Sequence, residues 1–189
     1  MAACAKITVG SAINCDAPIS GGTGTRLILC NFDDKGTATV GADGTISALA
    51  LTGATVGYAF EGQKLSHHPS YELVKKPFIN MFKHQIEFLV FEYNQTMKAN
   101  LQKLAKGKVF AVVENNFQGT AGETAFEVYG YNTGLFLEEL KRDANDTDNQ
   151  GAITLKLSSD ENGLESVLPQ ALFITSYAAS KVIVDALLT

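Results

Sequence analysis

The chain has 189 residues, 46% hydrophobic and 19% charged, a composition that excludes a disordered chain and favours a single domain over 1–189 with its own core. A net charge of -5 with only two arginines, Arg26 and Arg142, argues against a nucleic-acid groove. No run of about 18 apolar residues offers a membrane span.

Near the start no segment reads as a secretion signal, because Lys6 follows the small residues instead of preceding an apolar run. Cys4, Cys15 and Cys30 are odd in number and match no zinc spacing, so they read as thiols of a protein made in a reducing cytoplasm. Gly21-Gly22-Thr23-Gly24-Thr25-Arg26 lacks the Gly-Lys-Ser/Thr of a phosphate loop and leads into the apolar run Leu27–Cys30. It reads as the turn entering a strand. Thr37–Val40 and Thr45–Leu49 flank Ala42-Asp43-Gly44, a hairpin signal, and Thr55–Phe60 alternates again.

Residues 61–76 are polar, carry His67-His68-Pro69, and read as a long loop or extended arm reaching another subunit. The spacing of Phe78, Phe82, Ile86, Leu89, Tyr93, Met97, Leu101 and Leu104 predicts a long amphipathic helix over about 77–106. Pro77 stands at its first turn, Lys103 and Lys106 near its last, and Gly107 beyond. A second apolar strip, Ile79, Phe88, Val90 and Phe91, lies outside that stripe, and one sheet face cannot cover both. Phe88 and Phe91 are therefore candidates for a subunit interface, as are Lys75 and Lys76 beside them.

Strand patterns resume at Val109–Val113, Ala125–Tyr129 and Ile153–Leu157, and Ser176–Leu188 reads as a short C-terminal helix or strand. The expected fold is α+β: antiparallel sheets in a β-sandwich or barrel-like arrangement, with one long helix and one short C-terminal helix.

No constellation carries chemistry. His67 and His68 point apart in an extended chain, and no Cys or carboxylate stands at ligand spacing to them or to His84. The oxygen-rich run Asp143, Asn145, Asp146, Asp148, Asn149 could hold calcium. However, an EF-hand frame from Asp143 has Asp148 and Thr154 where Gly and Glu belong, and one from Asp146 ends on Leu157. No nucleophile sits in a G-x-S-x-G setting, and Glu138-Glu139 and Asp160-Glu161 read as surface pairs. Neither enzyme activity, cofactor nor metal is expected. Charge is uneven: residues 61–110 hold eight cationic and four anionic side chains, whereas 111–189 hold four and twelve. Such a split favours attraction between copies.

The segment Gly119–Gly134 (GTAGETAFEVYGYNTG), Leu135 and the acidic turn before Gly151-Ala-Ile-Thr-Leu-Lys-Leu resemble structural proteins of tailed phages infecting Bacteroidetes, most closely tail-tube-type subunits. Asn14-Cys15-Asp16 and Arg26–Leu29 add a weaker likeness. That resemblance implies a virion protein, made in the host cytoplasm, that forms a homo-oligomer, a hexameric ring or tube, with other virion proteins as neighbours. DNA would pass through it without specific binding. A head–tail connector or neck ring is the nearest variant of that expectation. A monomeric ligand-binding β-sandwich, using Tyr58, Tyr71 or Tyr129 for stacking, is the rival from another class.

Overall fold

A computed structural model describes residues 9–11, 21–63, 65–160 and 163–189. Cys4, Cys15, the Asn14–Asp16 likeness and Glu161 lie outside the described residues. A five-stranded sheet runs in the order β11 (Gln170–Ala171), β8 (Phe126–Tyr129), β7 (Val109–Asn115), β1 (Thr23–Asn31), β4 (Tyr58–Glu61). A four-stranded sheet runs β5 (His67–Lys75), β6 (Asn80–Val90), β10 (Ile153–Ser158), β9 (Phe136–Arg142). A hairpin of β2 (Lys35–Val40) and β3 (Ile46–Leu51), a single 3-10 turn at Phe32–Asp34 and two α-helices, α1 (Gln95–Leu104) and α2 (Tyr177–Ala186), complete the described elements. All named strand pairs are antiparallel.

Three layers follow from the two-residue period of β1 and β7. Leu27 and Leu29 of β1, with Val109, Ala111 and Val113 of β7, face one core, where they meet Ile86, Phe88 and Val90 of β6 and Ile153, Leu155 and Leu157 of β10. The intervening Ile28, Cys30, Phe110 and Val112 face a second core closed by Ile46 and Leu49 of β3 and by Val184 and Leu187 around α2. A strand covered on both faces has no solvent side, which is why Leu27–Cys30 and Val109–Val113 are unbroken apolar runs. The outer strands β6 and β10 are covered on one face and alternate.

The helix expected over 77–106 does not exist as one element. Residues 80–90 are strand β6, residues 76–79 are a turn, and only 95–104 are helical. The physical reason lies in the arithmetic of spacing. A step of four residues returns to the same helix face, but four is also two strand periods, so Phe82, Ile86 and Val90 satisfy both patterns. The residues between them decide: Lys83, Gln85 and Glu87 alternate with Phe82, His84, Ile86 and Phe88, a period of two. Pro77 fits both readings as well, since its fixed φ suits a helix start and the second position of a turn. Here Lys76 N–H donates to Ile79 O at 3.1 Å across the turn.

The supposed second strip dissolves with the helix. Phe88 is fully buried beside Ile86 in the core between the sheets, edge-on to Phe60 with ring centroids 5.4 Å apart. It is unavailable to a neighbouring subunit. Phe91, just past the strand, remains exposed.

The helices that do form carry local signals. Asn94 caps α1 by accepting from Met97 N–H at 2.7 Å, and Met97, Leu101 and Leu104 meet the core between the sheets. Ser176 caps α2 by accepting from Ala179 N–H at 3.2 Å, so the C-terminal segment is the short helix. No helix among the described residues is long and apolar enough to cross a membrane.

Candidate assembly surface

Residues 67–75, inside the segment read as a loop or arm, are the edge strand β5, hydrogen-bonded to β6 from His67 opposite Phe88 to Lys75 opposite Asn80. Burial along this hairpin ends at His67 on β5 and His84 on β6. Beyond them Tyr71 and Leu73 are half exposed, and at the turn Phe78 is 99% exposed with Ile79 at 61%. Lys75 and Lys76 are exposed at the same end. What supports the hairpin is residue 165, whose backbone bonds Phe82 in both directions, N–H to O at 2.9 Å and O from N–H at 2.8 Å.

The other edge of this sheet is β9, which has no alternating pattern in the sequence. It reads Phe-Leu-Glu-Glu-Leu-Lys-Arg, and a bulge at Glu138–Glu139 breaks its period, so no template matches. Six of its seven residues are exposed. Glu138 leans over the solvent face, 3.3 Å from Lys156 and 3.7 Å from Lys83. The Ser158 hydroxyl and those ammonium groups hold its carboxyl below the usual carboxylate range.

The backbone hydrogen bonds show which groups each edge leaves open. Ser66 O accepts from Leu89 N–H and Lys76 N–H donates to Ile79 O, so even-numbered positions of β5 bond to β6. By the period of two, Tyr71, Leu73 and Lys75 turn their N–H and C=O groups outward. Pro69 belongs to that outward set and lacks an N–H, which ends the open ladder there. On the far side Ser159 N–H donates to His84 O, so odd positions of β10 bond to β6 and Thr154 and Lys156 serve β9. Opposite them stand Lys141 and Glu139, which leaves Leu140 and Arg142 open to the edge.

The remaining sequence candidates sit elsewhere. His67 is buried and His68 exposed, on opposite faces of β5 as an extended chain requires. His84 is buried: Gly130 N–H donates to its Nδ1 at 3.1 Å, and its Nε2 lies 3.0 Å from Val167 O, an arrangement that a neutral ring protonated on Nε2 satisfies. Burial holds the ring below its usual pKa, against the pull of Glu165. In the acidic turn Asp146 spends its oxygens on Asp148 N–H, Asn149 N–H and the Asn149 amide, and Asp143 accepts from Asn145 N–H. Among the described residues no group of three or more His, Cys, Asp or Glu is placed to hold a metal. The Cys30 thiol is buried and pushed up to about 12.

The Gly21–Arg26 segment does enter strand β1, and Arg26 pairs with Asp185 of α2 at 2.7 Å. The three tyrosines do not converge: Tyr58 is on β4, Tyr71 on β5, and the Tyr129 ring is buried with its hydroxyl donating to Glu127 at 3.0 Å. A cleft of about 580 Å³ does open beside His68, Gln85, Glu87, Glu127 and Lys156. In the 119–134 segment, Gly122 and Gly134 hold φ of +93° and +88°. A Cβ on Gly122 would stand 2.7 Å from the Tyr177 backbone, so these residues are demanded by the fold.

No family model, curated protein or solved structure matches this chain.

Proposed function

We propose that this chain is a structural subunit that assembles with copies of itself into a ring or tube. By its resemblance it is of the tail-tube type in a tailed-phage virion, and the lumen lets DNA pass without specific binding. The observation that carries this reading is the β5–β6 hairpin, whose tip exposes Phe78 almost completely beside Ile79, on a sheet with two open edges. Fully burying one such side chain is worth about 1.5–3 kcal/mol, so a neighbour that covers the tip gains appreciably. Open edges that carry both strand-pairing groups and complementary charge favour a protein partner over a small ligand.

The two-sided helix, which motivated assembly from sequence, no longer supports it; the exposed hairpin and edges take its place. The subunit works passively, made in the host cytoplasm and incorporated in the virion beside other virion proteins. Native mass measurement and particle images of the purified chain test this. Rotationally symmetric rings, stacked for a tube, are expected. A monodisperse 20.2 kDa monomer at all micromolar concentrations, in low and in high salt, overturns the reading.

A further inference from the structure

We propose that the β5 edge of one copy pairs antiparallel with the β9 edge of a second copy, with Leu73 opposite Leu140 and Glu72 opposite Lys141. This rests on the reading of the chain as a self-assembling subunit and adds which strands meet and in what register.

Direction comes first. Successive strands of the four-stranded sheet alternate, so β5 and β9 at its two ends run opposite ways. A second copy set alongside in the same orientation therefore presents β5 antiparallel to β9, without inverting the molecule. The contact is head-to-tail and repeats from copy to copy, closing into a ring where the rotation allows.

Side-chain alternation then limits the register. Tyr71, Leu73 and Lys75 stand opposite His84, Phe82 and Asn80, on the face of the sheet that looks to the core. On β9, Leu140 and Arg142 stand opposite Leu155 and Ile153, on that same face. Residues directly opposite in an antiparallel pair share a face, and the bulge turns Glu138 to the solvent face, so within the regular part of β9 Leu73 has to meet Leu140 or Arg142 if the two sandwiches are to stay aligned. The open backbone groups obey the same parity, since Leu73 and Leu140 both turn theirs outward.

Charge selects between the two. Leu73 against Arg142 sets Glu72 against Asp143, like charges, and Lys75 against Leu140. Leu73 against Leu140 joins side chains 50% and 46% exposed, places Glu72 opposite Lys141, and brings Lys75 to the bulge at Glu138–Glu139. Lys76 then lies diagonal to Glu139. Opposite charges and apolar pairs at facing positions each favour the ladder, whereas like charges oppose it. Pro69 would face residue 144, beyond the end of β9 at Arg142, so the residue that cannot donate falls where pairing has already ended.

Proline on each edge, then cysteines across the gap, test this. Leu73→Pro and Leu140→Pro each remove an N–H that the chain's own sheet does not use, so each chain should fold. Each alone should lose the wild-type oligomer and run as a monomer. Mixed in equal amounts, they retain one good β5 and one good β9 edge and should form a dimer that grows no further. Under oxidation, Glu72→Cys in one chain should cross-link to Lys141→Cys in another at least tenfold more than Ser70→Cys, shifted by two residues, does. That readout serves also if a proline variant fails to fold. If wild type assembles but both proline variants assemble equally well, or Ser70→Cys is the better cross-linker, this edge pairing is overturned while the assembly reading stands. If wild type is itself a monomer, the assembly reading fails and this pairing fails with it.

Discussion

Replacing Glu165 by alanine should destabilise the subunit by about 3–5 kcal/mol, more than truncating any exposed charge. Glu165 is fully buried, and its Oε1 accepts from Asn132 N–H at 3.1 Å, Thr133 N–H at 2.9 Å and the Thr133 hydroxyl at 3.0 Å. Its backbone meanwhile holds Phe82 at the root of the protruding hairpin. Alanine leaves two backbone donors and a hydroxyl without that acceptor, at Asn132, which is exposed, and Thr133, which is half-buried. Each such loss costs about 1–3 kcal/mol, offset in part because a buried carboxylate no longer has to be desolvated. For a chain of this size 1 kcal/mol shifts the melting temperature by about 2–4 °C, so the drop should be on the order of 10 °C. Glu165→Gln keeps one acceptor oxygen but sets an amide where Oε2 has no hydrogen-bond partner among the described residues, and should cost about 1–2 kcal/mol. Thermal and urea unfolding, at concentrations where the chain runs as a single copy, measure both. A Glu165→Ala variant within about 1 kcal/mol of wild type, or one more stable than Glu165→Gln, would falsify the account of this carboxylate as the tie between hairpin and turn.

Three other outcomes follow from the same geometry. His84 and His67 are held below the ordinary histidine value of 6.5 by burial, so below that pH the unfolded chain binds protons that the folded chain refuses. Stability should therefore be complete above about pH 6.5 and fall as pH drops below it, with a shallower slope in His84→Gln; equal slopes would exclude His84 as a contributor. Lys75→Glu with Lys76→Glu should slow assembly at low salt several-fold by light scattering while leaving the melting temperature of the single subunit nearly unchanged. Coincident low-salt curves would remove these lysines from assembly. Cys30, buried and pushed up to about 12, should resist thiol reagents near neutral pH until the chain unfolds, read by mass spectrometry of its peptide. Rapid native labelling would contradict its burial.

Much of the fold was legible because those residues answer to one local rule each. Leu27–Cys30 and Val109–Val113 are apolar without interruption because the central sheet is covered on both sides. Asp43-Gly44 marks the β2–β3 turn, where Asp43 caps Thr45 N–H at 3.1 Å and Gly44 takes φ +87°. Ser176 opens the C-terminal helix it caps, whereas Asn94, the cap of α1, lay inside the longer helix expected over 77–106. The sheet content and the short C-terminal helix could be read this way. The stretch 77–91 could not, because steps of four residues suit a helix face and a strand face equally, and only a neighbour on either side settles the matter. That neighbour is β5 on one edge of β6 and β10 on the other.

The assembly surface divides along the same line. Sequence alone determined that Lys75 and Lys76 belong to a basic middle and Glu138 and Glu139 to an acidic end, since charge is written residue by residue. It could not say that Phe88 is core while Phe78, ten residues earlier, is at a hairpin tip, because burial is a property of what lies across the chain. Nor could it place β5 and β9 at opposite ends of one sheet. Their edge character comes from strands distant in sequence filling the middle, a non-local choice made by the packing of β6 and β10 onto the central sheet.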